Sequence, residues 1–286
     1  MTSELVQHIG VIGAGTMGVG VSHLFAQAGF PVTLTDISNA ALDVARKKIA
    51  RNAMTYRMLR PEQTAGPEEI LSRIHLTTDV NALQNSDFVV ENATEDWGIK
   101  EEIYREIDGI CPSHCIFGVN TSAISITRVA ALTLRPGQVV GTHFMNPAPL
   151  KRVVEVIRGF HTSEETLKGT RDLLSRAGNE GIVVNDSAGF VTNRVMMLTV
   201  NEAVCLLEEG VATAPEIDRL FKDCFGHTMG PLETCDLIGL DTVLYSLDVL
   251  YDSFNDPKYR PSQLLKKMVY AGQHGQKSGS GFYSYC

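Results

Sequence analysis

The 286-residue sequence predicts an α/β protein: a doubly wound, mainly parallel sheet followed by an all-helical C-terminal domain. Two patterns carry that expectation. Short apolar runs alternate with segments of helical periodicity up to about residue 187, which is how parallel βα units read. Beyond it the segments keep helical spacing, with breaks at VATAPE, HTMGPLE, NDPKYRP and GQKSGSG. A boundary between 185 and 195 separates two domains, taken as residues 1–188 and 189–286.

The elements follow in order. HIGVIGAG is a short apolar strand running into glycines, and TMGVGVSHLFAQAGF has helical spacing ending in Gly29. PVTLTDIS is a second strand, ending in Asp36. NAALDVARKKIARNAMTYRMLR is a long, basic, amphipathic helix, and PEQTAGPEEILSRI holds a loop and another helix start. DFVVEN reads as a buried strand, IKEEIYREIDGIC as a charged helix, CIFGVNTS as a strand and ISITRVAALT as a helix. QVVGTHF and RVVEVIRG are strands, EETLKGTRDLLSRAG a helix, and GIVVNDSAGF a last strand closing in a turn.

Composition narrows the function. A formal charge of -8 argues against nucleic acid as partner, because a phosphate-binding surface needs a basic excess. No window approaches the ~18 to 20 apolar residues of a membrane span, and MTSELVQHIGVIGAG lacks the marks of a secretory signal. A cytoplasmic protein is expected. Its six cysteines are scattered, and CPSHC (Cys111 to Cys115) would be half a zinc site whose second half is missing. Reduced thiols and no metal follow.

Gly13, Gly15 and Gly18 in GAGTMG match G-x-G-x-x-G directly after a strand and at a helix start. Gly13 permits the tight turn, Gly15 lets the backbone approach a pyrophosphate, and Gly18 lets the helix pack on the strand. Thr16 and Met17 lie between them, where the helix N-terminus offers N–H groups and positive dipole. Asp36, eighteen residues past Gly18, is placed to accept from a ribose diol and to repel a 2′-phosphate, favouring NAD. The first domain is therefore expected to be a Rossmann-type NAD-binding domain.

His143 and Glu155 stand twelve positions apart in GTHFMNPAPLKRVVEVI, each where a valine would suit a buried strand. A hairpin-like turn across Pro147 and Pro149 would bring them together. A buried carboxylate then fixes the tautomer of the ring and favours the imidazolium, which suits removal of a hydroxyl proton as hydride leaves. Separate satisfaction of each group by backbone or water is the structural alternative.

NTSAISIT, GTHFMNPAP, VVEVIRG, NDSAGFVTNR, MGPLETCDLIGLD and KSGSGFYSY together resemble the 3-hydroxyacyl-CoA dehydrogenases, particularly the bacterial 3-hydroxybutyryl-CoA enzymes, over nearly the whole chain. The resemblance implies His143 as catalytic base with Glu155 as its partner. It implies Ser122 and Asn193 as polar contacts near the reacting hydroxyl and thioester carbonyl, and Asn146 close by. Glu95 and Lys100 in TEDWGIK match an acid and a lysine near the nicotinamide ribose, and Asn120 heads NTSAISIT in the expected cofactor-binding set. Substrate between the two domains and a homodimer through the helical one are implied as well. The structural alternatives are helix capping for Ser122 and Asn193, and a solvated position for Lys100.

Three departures bear on the substrate. The basic residues Arg46, Lys47, Lys48, Arg51, Arg57 and Arg60 occupy the region where the family contacts the CoA nucleotide, but their convergence is not legible. Ala123 replaces a common serine, and Glu233 and Thr234 stand where small apolar residues are usual. A polar acyl group such as glyceryl on an acyl carrier protein is therefore a second substrate reading. A β-hydroxyacid dehydrogenase would place a lysine where Asn193-Arg194 stands, and a non-catalytic, crystallin-like protein would have no use for His143 with Glu155.

Overall fold

The computed structural model describes residues 6–59 and 65–285. Arg60 and Cys286 lie outside the described residues. Two compact units divide the chain, residues 1–186 and 187–286.

The first unit is built on one eight-stranded sheet: β1 (Ile9–Ile12), β2 (Val32–Thr35), β3 (Ile74–Thr77), β4 (Phe88–Glu91), β5 (Ile116–Val119), β6 (Val139–His143), β7 (Val153–Arg158) and β8 (Glu180–Asn185). Its order is β3-β2-β1-β4-β5-β6-β7-β8. The chain winds outward from β1 to one side, returns, and winds outward from β4 to the other, which leaves a crevice at the reversal. All neighbours are parallel except β6 and β7, which run antiparallel. Helices α1 (Thr16–Gln27), α2 (Asn39–Leu59), α3 (Pro67–Ser72), α4 (Trp97–Ile110), α5 (Ile126–Ala130) and α6 (Glu164–Arg176) connect the strands. The strands IGVI, VTLT and FVVE are buried from end to end, as strands of a parallel sheet covered on both faces must be.

The doubly wound, mainly parallel architecture agrees with the sequence expectation, with one omission. Sequence reasoning passed over β3, whose four residues IHLT include one buried position and three partly or fully accessible ones. A short edge strand has neither the apolar run nor the strict alternation that betrays a strand.

The second unit holds α7 (Thr192–Glu208), α8 (Ala214–Phe225), α9 (Pro231–Ile238), α10 (Leu240–Phe254) and α11 (Gln263–Tyr270) around its own apolar core. Two buried carboxylates fasten the KSGSGFYSY tail. Asp236 accepts from the backbone N–H of Phe282 and Tyr283 and from the Tyr285 hydroxyl, each at 2.9 Å. Asp218 accepts from the N–H groups of Leu232 (2.8 Å) and Glu233 (2.9 Å) and from the Tyr283 hydroxyl (2.7 Å). A Cβ at Gly281 would lie 2.0 Å from Asp236 Oδ1, so the glycine of GFYSY is set by that approach. No described helix is long and apolar enough to cross a membrane.

One buried group outside the sheet edge titrates. His23 on α1 is fully enclosed, stacks on Tyr56 of α2 at 5.6 Å between ring centroids, and shares a hydrogen bond of 3.0 Å with Gln27. Burial pushes its imidazole down to about 4, against an unfolded value of 6.5, so it stays neutral in the folded chain. As pH falls below 6.5 the unfolded chain takes up the proton first, so stability drops until about pH 4 and levels below it. The expected loss is about 3 kcal/mol. Urea midpoints at pH 7.5 and 4.5 check it: His23→Phe should lose less stability over that interval than the wild type, and equal losses would show that His23 is not the group responsible.

Candidate active site

The glycine turn joins β1 to α1 at the crevice. Gly13 takes φ +90°, and a Cβ there would lie 2.8 Å from the Asn92 carbonyl oxygen. A Cβ on Gly18 would lie 1.7 Å from the Gly13 carbonyl oxygen, so helix and turn are in contact with nothing to spare. Gly15 is the opposite case: its Cβ would meet nothing within 4 Å, and its backbone caps α1 without any side-chain cap. No acid occupies the first turn of α1, and helix geometry leaves the N–H groups of Thr16, Met17 and Gly18 without an intrahelical acceptor. An open, uncapped, positive helix end fits the pyrophosphate of NAD. Asp36 follows β2; its Oδ2 accepts from Ala14 N (2.7 Å) and its Oδ1 from Ser38 N (2.9 Å). The acid therefore braces the turn from the neighbouring strand.

Three strands away on the same edge, His143 ends β6. Counting strand spacings puts it about 14 Å from the end of β1. MNPAP turns the chain back, and β7 pairs with β6 so that His143 lies directly opposite Glu155. Both are buried, at 7% and 5% exposure, and Nδ1 of His143 lies 2.7 Å from Glu155 Oε2. On the far side of the ring, Nε2 lies 3.0 Å from Ser122 Oγ. A carboxylate only accepts, so the ring proton sits on Nδ1 and the lone pair on Nε2 faces the serine hydroxyl. Separate satisfaction of the two residues is excluded by this contact.

Ser122 follows β5, and it is not the cap of α5: Ser125 fills that role, accepting from Arg128 N. Glu95 accepts at Oε1 from Ser122 N (3.1 Å), Ala123 N (3.2 Å) and the Thr121 hydroxyl. Asp186, at the end of β8, accepts at Oδ2 from the Ser125 hydroxyl (2.7 Å) and from Thr127 N (2.9 Å) and Oγ1 (2.6 Å). Two carboxylates thus hold the loop that carries Ser122 and the start of α5 that follows it. Lys100 is not a solvated lysine; it is fully buried and donates to both oxygens of Glu91 at 2.9 and 2.8 Å. Burial pushes the Glu91 carboxyl up, and the Lys100 ammonium opposes that shift. Asn120 spans neighbouring strand ends, donating to Asn92 Oδ1 (2.6 Å) and accepting from Phe144 N (3.1 Å).

Asn146 is exposed in the β6–β7 turn. Asn193 belongs to the second unit, where Val191 is the N-cap of α7, so Asn193 stands inside the first turn and does not cap it. Glu233 pairs with Lys222 at 2.5 Å and accepts from Gly230 N (3.3 Å), and the Thr234 hydroxyl donates to the Gly230 carbonyl (2.7 Å). Both have local work at the start of α9. Arg46, Lys47, Lys48, Arg51 and Arg57 are exposed along α2. Cys111, Cys115 and Cys235 are buried free thiols, and no cluster of three metal-ligating side chains occurs among the described residues. Sequence reasoning missed Glu91, Thr121, Asn92 and Asp186. DFVVEN did carry a signal, since a carboxylate closing a buried strand needs a partner.

A Ser–His–Glu chain is also the arrangement of an acyl hydrolase. The glycine cradle on the same sheet edge separates the two chemistries, because a hydrolase has no use for a dinucleotide site.

Comparison with known proteins agrees. The family model for the 3-hydroxyacyl-CoA dehydrogenase NAD-binding domain matches residues 8–187, and that for the 3-hydroxyacyl-CoA dehydrogenase C-terminal domain matches residues 189–285. A probable 3-hydroxybutyryl-CoA dehydrogenase of Bacillus subtilis is 42% identical over 284 residues, covering 98% of each chain. The human mitochondrial hydroxyacyl-coenzyme A dehydrogenase is 33% identical, covering 98% of this chain and 92% of its own. Among solved structures, that of (S)-3-hydroxybutyryl-CoA dehydrogenase PaaH1 from Ralstonia eutropha superposes with a TM-score of 0.91 at 41% identity, covering 98% of this chain and 99% of its own. The cofactor is NAD.

The cradle yields a paired prediction. Gly15→Ala has a backbone (φ -69°, ψ -170°) open to any residue and room for its Cβ. It should unfold at the wild-type temperature yet bind NADH about tenfold or more weakly, because the methyl occupies the pyrophosphate approach. Gly18→Ala should lose both, with overpacking costing about 1–3 kcal/mol or more. Thermal melts and NADH fluorescence titrations check this; full affinity in Gly15→Ala would remove that surface from the cofactor site.

Proposed function

The chain belongs to the 3-hydroxyacyl-CoA dehydrogenase family, and on that premise we propose that it interconverts a 3-hydroxyacyl-CoA of the 3-hydroxybutyryl type and its 3-oxoacyl thioester. The observation that carries the reading is the Ser122–His143–Glu155 chain on the edge that also bears the NAD cradle. NAD, when bound, supplies the acceptor for the hydride of the carbinol carbon. The chain's own residues handle the proton. Glu155 keeps the ring proton on Nδ1, so the Nε2 lone pair can take the proton of the substrate hydroxyl. Once Nε2 is protonated, the ring is a cation 2.7 Å from a buried carboxylate, and low local polarity strengthens that attraction. Ser122 orients the hydroxyl beside the ring.

In this reading Ser122, Asn146 and Asn193 take the polar groups around the reacting carbon. Glu95, Lys100 and Asn120 lie on the nicotinamide side, and Gly13, Gly15, Thr16, Met17, Gly18 and Asp36 hold the rest of the cofactor. A thioester on an acidic acyl carrier protein is the second substrate reading, favoured by the exposed cations of α2. A homodimer through the helical unit is supported by exposed Val195, Met196, Leu220 and Phe225. The scattered cysteines suit the cytoplasm.

Side-by-side assays test this. NADH absorbance should fall with acetoacetyl-CoA; oxidation only with a carrier-protein thioester would reassign the substrate, and none with either would overturn the reaction. His143→Gln should lower kcat about a hundredfold or more, with NADH titrating as in the wild type. Wild-type turnover in that variant would remove His143 as the base.

A further inference from the structure

Glu91 and Lys100 are both fully buried, yet neither touches Ser122 or His143 through the bonds they make with each other. Such a pair is poorly explained by stability alone, because apolar residues of similar volume serve a core as well or better. An apolar pair could not, however, hold a third charged group. Lys100 Nζ lies 2.8 and 2.9 Å from the Glu91 oxygens and 3.8 Å from Glu95 Oε2. The other oxygen of Glu95 is the one that receives Thr121 Oγ1, Ser122 N and Ala123 N. Glu95 is thus drawn from one side by an ammonium and from the other by the loop that carries Ser122.

We infer that Glu91 is a positioning residue for the Ser122–His143 pair, acting through Lys100 and Glu95. Its charge retains the ammonium, and Ala93 N, donating to Glu91 Oε1 at 2.6 Å, fixes the carboxylate where it does so. Asp96 caps α4 by accepting from Ile99 N, which anchors the backbone next to Lys100. With Glu91 shortened, the ammonium turns to the remaining carboxylate, and Glu95 Oε2 closes the 3.8 Å gap. Its Oε1 then leaves the amides of Ser122 and Ala123, and the 3.0 Å contact between Ser122 Oγ and His143 Nε2 is lost. The sequence marks Glu91 only as a carboxylate closing a buried strand; the fold alone brings Lys100 between it and Glu95.

The inference rests on the site reading above, and a double-mutant cycle in the full-length enzyme separates the two. Glu91→Asp should lower kcat about 10- to 100-fold with the thioester KM nearly unchanged. In a Ser122→Ala background the same substitution should cost nothing further, because the interaction it supports is already gone. Glu91→Gln replaces Glu91→Asp in the cycle if the aspartate variant fails to fold. Losses that multiply in the double variant would overturn the positioning role while leaving the site intact. Ser122→Ala with wild-type turnover would overturn the site reading itself. Failure of both Glu91 variants to fold would assign the ion pair to stability and overturn the inference.

Discussion

The antiparallel pairing of β6 with β7 is the constraint on which the site depends. The other neighbouring strands run parallel, and a parallel neighbour would need a crossover of a dozen or more residues. A short turn reverses the chain after His143, so that Glu155 returns directly opposite it. Opposed residues on an antiparallel ladder share one face of the sheet with Cβ atoms about 5 Å apart. A slip of one residue would send the carboxylate to the other face and leave both groups buried without each other. β7 is buried on both faces from Val154 to Ile157, so a slipped carboxylate would find no water to stand in for its lost partner.

Around that register, the carboxyl ends of β4, β5 and β6 are knitted by polar side chains. Asn120 ties Asn92 to the backbone of Phe144, Lys100 lies between Glu91 and Glu95, and Glu95 and Asp186 hold the loop of Ser122 and the start of α5 that follows it. A loop secured by charge-assisted bonds to its own amides loses the conformational freedom that would scatter Ser122. Buried charge is thereby turned into geometry. The second unit uses the same device for another end, where Asp218 and Asp236 receive backbone and tyrosine donors from the tail.

Much of this was legible in the sequence where local pattern and chemistry coincide. The glycine turn is an example: three glycines after an apolar strand have separate jobs, and Gly13, Gly15 and Gly18 show a strained φ, an open approach and a closed contact in turn. Lys100 and Ser122 were less legible, because a lysine on a charged helix and a serine before a helix each have a common local explanation. Burial at 0% and the capping by Ser125 displaced those explanations, and neither quantity is a property of the nearby sequence. Glu233 moved the other way: an unusual residue in sequence, it is occupied by Lys222 and its own helix start.

The alternation of strand and helix, the dinucleotide turn, and the oddity of an imidazole and a carboxylate at two valine-like positions are all written in the order of residues. These depend on periodicity and on side-chain chemistry, which are written along the chain. Only the tertiary structure decided which charges meet. Glu91 reaches Lys100 across nine residues, Glu95 reaches Ser122 across twenty-seven, and Asp186 reaches Thr127 across fifty-nine. Contacts at such separations follow from strand order and register, and those are settled by packing of the whole sheet.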